Sequence, residues 1–316
     1  MNSQRTRKYA CQALRRWPYQ IPESLTPEVS IANGPDIFNG HDSLIPYMLS
    51  GHAIETFRER TAWLHCEFND DNSHPKNRVR ATELIKNSQL AIQLVAPIGL
   101  DYTTVFVIEE CPSEAPRPTV ELLPPMKPTA WSRLIGYSAS SLEELKTVAK
   151  GVGAAFNSQV TRLMNPLYFL ELGMESNHPY LRTFLWVTGL DALLMANNKA
   201  QFEQRLGNLC GMDSPISPSI PTFGQPRHRV GEVAADLYEF RSIIAHGRPI
   251  DARFREHHEL ISPDGQPSLH CMYHEFLQES ALCLLTAAMK KVFIGNLAEI
   301  VARPTDWREY LKTPHL

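Results

Sequence analysis

The stretch PYLRTFLWVTGLDALLMA (179–196) constrains the fold most, because it predicts a helix that is apolar nearly all round. Such a helix has no polar side to expose, so it has to be enclosed by other helices. The text after about residue 130 supplies them, since nearly all of it has helical character. Four further helices are predicted at 202–211, 227–246, 269–300 and 305–312, and another at 145–163 behind a capping box formed by Ser141 and Glu144.

The text before residue 130 is of a different kind. Residues 17–50 are rich in Pro, Asn, Gly and Ser and are predicted to be irregular, while 52–67 could be a helix. A helix is predicted at 80–96 by its apolar spacing, and two strands at 103–110 and 119–123, the second of edge type because prolines surround it. The fold class is therefore mainly α, with an α+β N-terminal region (1–130) and a helical domain (131–316).

Composition excludes some classes of protein. The 316 residues are 43% hydrophobic and 21% charged, which is typical of a globular chain, and a net charge of -3 excludes a strongly basic nucleic-acid coat. Six scattered cysteines without a C-x-x-C pair favour the reducing cytoplasm. We expect neither a membrane span nor a secretion signal. The first 22 residues are basic and predict a solvated arm, a first helix or an arm that touches nucleic acid.

The segment YEFRSIIAHGRP (238–249) ends the predicted helix 227–246. Arg241 and His246 are five residues apart, about 140° around an ideal helix, so they can converge only because Gly247 and Pro249 end the helix there. A narrow apolar seam precedes them at Val230, Val233, Leu237, Phe240 and Ile244.

An arginine and a histidine in this arrangement suit RNA cleavage without a metal. A histidine can take a proton from a ribose 2′-hydroxyl or give one to a leaving 5′-oxygen, and an arginine can hold the phosphate oxygens as charge develops. The spacing alone is unspecific, because four other pairs resemble it and each fits a helix arginine beside an unrelated histidine. Those pairs are Arg60–His65, Arg58–His65, Arg253–His258 and Arg308–His315.

The pattern Tyr238-x-x-Arg241-Ser242-x-x-x-His246-Gly247 resembles the signature of the HEPN superfamily, and in particular of Apea-like HEPN domains. FLWVTGLDALL (184–194), FEQRLGNLCG (202–211) and the helix-then-strand text 84–108 are similar to segments that come before this signature in the family.

The resemblance implies an antiparallel helical bundle that forms a homodimer, with the two motif helices facing a shared cleft. Many members are metal-independent endoribonucleases that use no cofactor, often in prokaryotic antiviral defence or toxin-type systems, where a protein or phage trigger can activate them. Arg241 and His246 carry over as catalytic residues, with Tyr238 in support. Ser242 stands where the family usually has Asn or Asp. Some HEPN domains are silent, so a non-catalytic dimerisation module that binds RNA or a protein is the alternative.

The resemblance also places an acid in the buried helix, commonly Glu, which is Asp191 here. A buried carboxylate needs a partner, and Arg241 and Arg205 are candidates. Our hypothesis is that Asp191 orients Arg241. The alternative is a structural ion pair with Arg205 or Arg182.

Several assignments remain open alternatives. Arg248 and Arg205 are candidates for binding RNA phosphates, although Arg248 also fits a solvated charge. His270 and His274, four residues apart in the predicted helix 269–300, are a weaker alternative as a zinc pair. The loop 213–226 fits a lid or a linker, and the N-terminal region could sense a trigger, bind RNA or brace the bundle.

Overall fold

The computed structural model describes residues 6–14, 22–33, 62–69, 74–95, 104–110, 119–122, 142–214, 229–261 and 267–315. The chain divides into two compact units. Unit 1 comprises Met1–Pro128 with Ala139–Gly153, and unit 2 comprises Thr129–Ser138 with Ala154–Leu316. Helix α2 therefore contributes residues to both units.

Unit 1 contains an antiparallel sheet of six strands in the order β2-β3-β4-β1-β5-β6. The strands are β1 (Thr6–Leu14), β2 (Glu23–Ser24), β3 (Ser30–Asn33), β4 (Ala62–Asn69), β5 (Thr104–Glu110) and β6 (Thr119–Leu122). β5 and β6 confirm the two strands predicted from sequence, and β6 lies at an edge of the sheet as its flanking prolines indicated.

The other four strands correct the sequence analysis. β1 lies in the basic segment expected to be an arm or a helix, and β2 and β3 lie in the segment expected to be irregular. β4 replaces the helix predicted at 52–67, although residues 52–61 lie outside the described residues. The reason is non-local, because β4 is paired on one side with β3 and on the other with β1, which is about fifty residues away in the chain.

Helix α1 (His74–Val95) confirms the helix predicted at 80–96 and begins six residues earlier. It packs on β4 and buries apolar residues that include Ala81, Ile85 and Ile92. Helix α2 (Leu142–Ser158) follows in the chain, and Lys146 on it forms a 2.7 Å ion pair with Glu23 of unit 1.

Unit 2 is mostly helical, which confirms the coarse prediction for this part of the chain. After α2 come α3 (Thr161–Glu175), α4 (Pro179–Leu194), α5 (Lys199–Cys210), α6 (Val230–Ala245), α7 (Tyr273–Ile294), α8 (Ala298–Ala302) and α9 (Pro304–Tyr310). The single helix predicted at 145–163 is wrong, because it breaks between α2 and α3. Gln159 adopts the left-handed region there (φ 53°) and Val160 is extended.

Helix α4 is the centre of unit 2, as its all-round apolar text predicted. Its neighbours in space are α3, α6 and α7, and Trp186, Leu190 and Leu193 are fully buried. The Trp186 indole N–H donates to the Leu170 carbonyl on α3 at 3.2 Å. The close approach of α3 depends on Gly173, because a Cβ there would collide with the Trp186 ring. Helix α9 also contacts α4, because the Trp307 indole N–H donates to the Leu193 carbonyl at 2.7 Å.

One element of unit 2 was missed. Strands β7 (His257–Ile261) and β8 (Pro267–Met272) form an antiparallel hairpin before α7. The helix predicted at 269–300 is therefore too long at its start, where Glu275 accepts from the Met272 backbone N–H at 2.8 Å and begins the helix at Tyr273. It also ends earlier, because Asn296 is left-handed (φ 53°) and separates α7 from α8.

Candidate active site

Helix α6 carries the arginine–histidine motif, and hydrogen bonds define both of its ends. At its start, the Glu232 carboxylate accepts from the Arg229 backbone N–H at 2.8 Å. Its apolar seam is buried nearly as predicted, with Ile243 more deeply buried than Ile244. The seam fixes the rotation of α6 against α4 and α5, so that each remaining residue has a defined direction.

The C-terminus of α6 is a Schellman motif around His246. The Arg248 N–H donates to the Ile243 carbonyl at 2.9 Å, and the Gly247 N–H donates to the Ile244 carbonyl at 3.1 Å. Gly247 has φ +61°, a conformation that suits glycine, and Pro249 follows. His246 still donates its own N–H to the Ser242 carbonyl at 3.1 Å, so it keeps the helical direction. The predicted end of the helix is confirmed.

Arg241 forms an ion pair with Asp191 across the contact between α6 and α4. Its Nη2 lies 2.9 Å from Asp191 Oδ2, and the two side chains are 24% and 14% exposed. Of the candidate partners that the sequence left open, Arg241 forms the ion pair with Asp191, which is the contact that our hypothesis requires.

This ion pair leaves hydrogen-bonding capacity unused. Asp191 Oδ1 and Arg241 Nε are both buried without a hydrogen-bond partner in the described part of the chain. Burial raises the pKa of Asp191 above its ordinary value, and the Arg241 charge opposes that rise. A single-point ion pair of this kind holds the guanidinium in place, while the rest of its planar group remains unmatched.

Tyr238 supports Arg241 from the same helix. The Arg241 guanidinium lies 5.7 Å from the centre of the Tyr238 ring, and that ring packs on Phe202 of α5. Ser242 is half-buried, and its carbonyl receives the His246 N–H.

His246 and Arg248 are exposed. No hydrogen bond joins the Arg241 and His246 side chains in the described residues, because one turns toward α4 and the other toward solvent. The structure thus brings Asp191, Tyr238 and Arg241 together, while His246 is exposed at the C-terminal end of α6, five residues after Arg241. A phosphate between Arg241 and His246 would have to approach the C-terminal end of α6 from solvent.

Arg205 lies apart from this group. Its Nη1 donates to the carbonyls of Leu194 and Met195, at 3.0 and 2.5 Å. These contacts satisfy carbonyls at the C-terminus of α4, where Met195 is left-handed (φ 53°). Its predicted contact with RNA stays a prediction.

A second charged group on α6 was not found from sequence. Arg253, in the 3₁₀-helix Ala252–Arg255, places Nη1 3.0 Å from Asp236 and Nη2 2.8 Å from Glu239. Tyr273 donates its hydroxyl to Asp236 at 2.6 Å, and burial raises the pKa of Tyr273. We call Arg253, Asp236, Glu239 and Tyr273 the Arg253 cluster. The sequence showed two acids, Asp236 and Glu239, three residues apart on one helix. It did not show their partners Arg253 and Tyr273, which come later in the chain.

The other arginine–histidine pairs do not repeat the arrangement of the motif. His65 lies in strand β4, His258 lies in strand β7, and His315 stacks on the Tyr310 ring. The zinc alternative assumed that His270 and His274 share a helix, which is wrong because His270 lies in β8. His274 is buried, its Nδ1 lies 3.2 Å from the Phe254 carbonyl, and burial lowers its pKa.

Comparison with known proteins yields no match to a family profile, a curated protein or a solved structure. Among the described residues, no helix combines the length and apolar character needed to cross a bilayer. In the same residues, no three His, Cys, Asp or Glu side chains are grouped as a metal site requires.

Proposed function

We propose that the chain is a metal-independent endoribonuclease of HEPN type, with Arg241 and His246 as its catalytic residues. The Arg241–Asp191 ion pair carries the proposal. It holds a half-buried guanidinium five residues before an exposed histidine at a helix end. The resemblance to HEPN domains implies an acid in the buried helix, and this pairing fits our hypothesis that the acid, Asp191, orients Arg241.

The reaction would use the RNA's own 2′-hydroxyl. The 2′-oxygen attacks phosphorus, the bond from phosphorus to the 5′-oxygen breaks, and the products are a 2′,3′-cyclic phosphate and a 5′-hydroxyl. His246 would take the 2′-hydroxyl proton or give a proton to the 5′-oxygen, and Arg241 would hold the charged oxygens. One imidazole serves one proton transfer at a time, so a homodimer with a shared cleft would supply both.

The alternative is a non-catalytic module that dimerises and binds RNA or a protein partner. One observation favours it: Arg241 is already engaged by Asp191, so a phosphate has to share or displace that contact. The biological setting proposed with the enzyme is prokaryotic antiviral defence or a toxin-type system, in the cytoplasm and under a protein or phage trigger.

The test is RNA cleavage in EDTA by the native chain and by His246→Ala, Arg241→Ala and Arg241→Lys. We expect each alanine variant to lower the cleavage rate about 100-fold or more. Arg241→Lys keeps a charge opposite Asp191 but loses the planar fork, so it should fold and still cleave poorly.

His178→Ala is the matched control, because His178 is also an exposed histidine beside a helix end of unit 2. It should cleave like the native chain. RNA with a 2′-deoxy sugar at the cut site should resist, and equal cleavage of that RNA would contradict the mechanism. Intact dimers in which the native chain never cleaves RNA would favour the binding module.

A further inference from the structure

We propose that Arg253 is a positioning residue for the candidate site, because it holds the segment 247–252 against α6 and thereby fixes His246. The inference rests on the proposed function for its catalytic meaning. Its structural content concerns only the placement of His246.

The positions of the contacts define the path of this segment. Glu239 is seven residues before His246 and Arg253 is seven residues after it. On an ideal helix Glu239 and His246 differ by about 20° in direction and about 10 Å in height. Because Arg253 reaches Glu239 at 2.8 Å, the chain turns back after His246 and runs along the side of α6 that bears the histidine.

Both ends of this returning segment are fixed. At its start, the Schellman motif holds Gly247 and Arg248 to the last turn of α6. At its end, the Asp251 carboxylate accepts from the Arg253 N–H at 3.1 Å, and Phe254 is fully buried against Phe240, with ring centres 5.2 Å apart. Arg253 then adds two side-chain ion pairs between the 3₁₀-helix and α6.

The Arg253 side chain can be removed without leaving its acids unpaired. Asp236 keeps the Tyr273 hydroxyl at 2.6 Å, and Glu239 keeps Lys199 at 3.6 Å. Phe254 still anchors the 3₁₀-helix in the core. An Arg253→Gln variant should therefore fold, while the returning segment loses its hold on the exposed face of α6.

The experiment compares Arg253→Gln with Arg229→Gln in the full chain. Arg229 is a matched control, since it is a surface arginine that pairs with one acid, Asp213 at 3.0 Å, at the opposite end of α6. The first readout needs no activity: the proton NMR signal of the His246 ring, and amide exchange at Arg248. We expect Arg253→Gln alone to shift the ring signal and to speed that exchange about tenfold.

The second readout is RNA cleavage. A displaced histidine should lower kcat about tenfold in Arg253→Gln and leave KM for RNA nearly unchanged, with partial rescue by Arg253→Lys. An unshifted His246 signal in Arg253→Gln would overturn the positioning role, and so would a native kcat despite a shifted signal. Absence of cleavage by the native chain would instead defeat the proposed function, while the His246 signal still decides whether Arg253 positions it.

Discussion

Two arginines make ion pairs that involve helix α6, which ends at His246, and they do so in opposite ways. Arg241 belongs to α6, meets one carboxylate on α4 and is 24% exposed, with Nε unpartnered among the described residues. Arg253 comes from the 3₁₀-helix, meets two carboxylates on α6 and is 39% exposed. Arg253 also covers the Phe254 ring at 4.4 Å, so its charged group has contacts on several sides, while its Nη2 lies at ion-pair distance from Glu239 without a hydrogen bond in the described residues.

The difference separates two tasks that an arginine can have beside a reactive group. An arginine with two acids and an aromatic face is committed to holding structure, because a phosphate would have to replace several contacts. An arginine with one single-point partner is fixed in direction but keeps donors that are unmatched. We therefore propose that Arg241 binds the charged phosphate of the substrate and that Arg253 positions His246.

The largest expected effect is on stability. Arg241→Ala leaves Asp191 half-buried and unpaired, and we expect a loss of about 2–3 kcal/mol in the free energy of unfolding. Arg253→Ala should cost about 1 kcal/mol or less, because its ion pairs are more exposed and both acids keep other partners. Urea unfolding followed by circular dichroism measures both. Equal losses would remove the distinction between the two arginines.

The sequence analysis identified Arg241 as a candidate partner of Asp191 but missed the Arg253 cluster. The need of Asp191 for a partner could be predicted because a lone charge in a strongly apolar helix is costly, and Arg241 was one of the candidates. The end of helix α6 could also be predicted from neighbouring residues, because Gly247 followed by Pro249 is typical of a helix C-terminus.

The Arg253 cluster depends on a chain reversal over the segment 247–252, which no periodicity encodes. The same limit explains unit 1. The segment of β4 forms a strand because it pairs with β1 and β3. Its own residues therefore did not show whether it would be a strand or a helix.

A second prediction isolates the role of Asp191. Asp191→Asn keeps an oxygen that can accept from Arg241 and removes the charge, so stability should change by less than about 1 kcal/mol. If Asp191 orients Arg241 for catalysis, cleavage should fall about tenfold with little change in KM. Asp213→Asn is the matched control, since it also neutralises one acid opposite an arginine, here Arg229 at 3.0 Å near the start of α6. Native stability together with native cleavage in Asp191→Asn would rule out the orienting role.

The smallest expected effect is on pH dependence, where the two regions should respond in opposite directions. Burial raises the pKa of Asp191, so the folded state binds its proton more tightly than the unfolded state, and this group lowers stability as pH rises from its ordinary 3.8 through the raised value. His274, which accompanies the Arg253 cluster through its contact with the Phe254 carbonyl, has a pKa lowered by burial from 6.5. There the unfolded state binds the proton more tightly, so stability rises with pH up to about 6.5.

Urea unfolding between pH 4 and 8 separates the two contributions when the native chain is compared with Asp191→Asn and His274→Gln. Asp191→Asn should make stability rise more steeply with pH at the acidic end, because the opposing contribution is gone. His274→Gln should flatten the rise below pH 6.5. If both substitutions changed the slope in the same direction, burial would not be the cause of one of the two pKa shifts, and the contrast between the ion-paired Asp191 carboxylate and the buried His274 would fail at that residue.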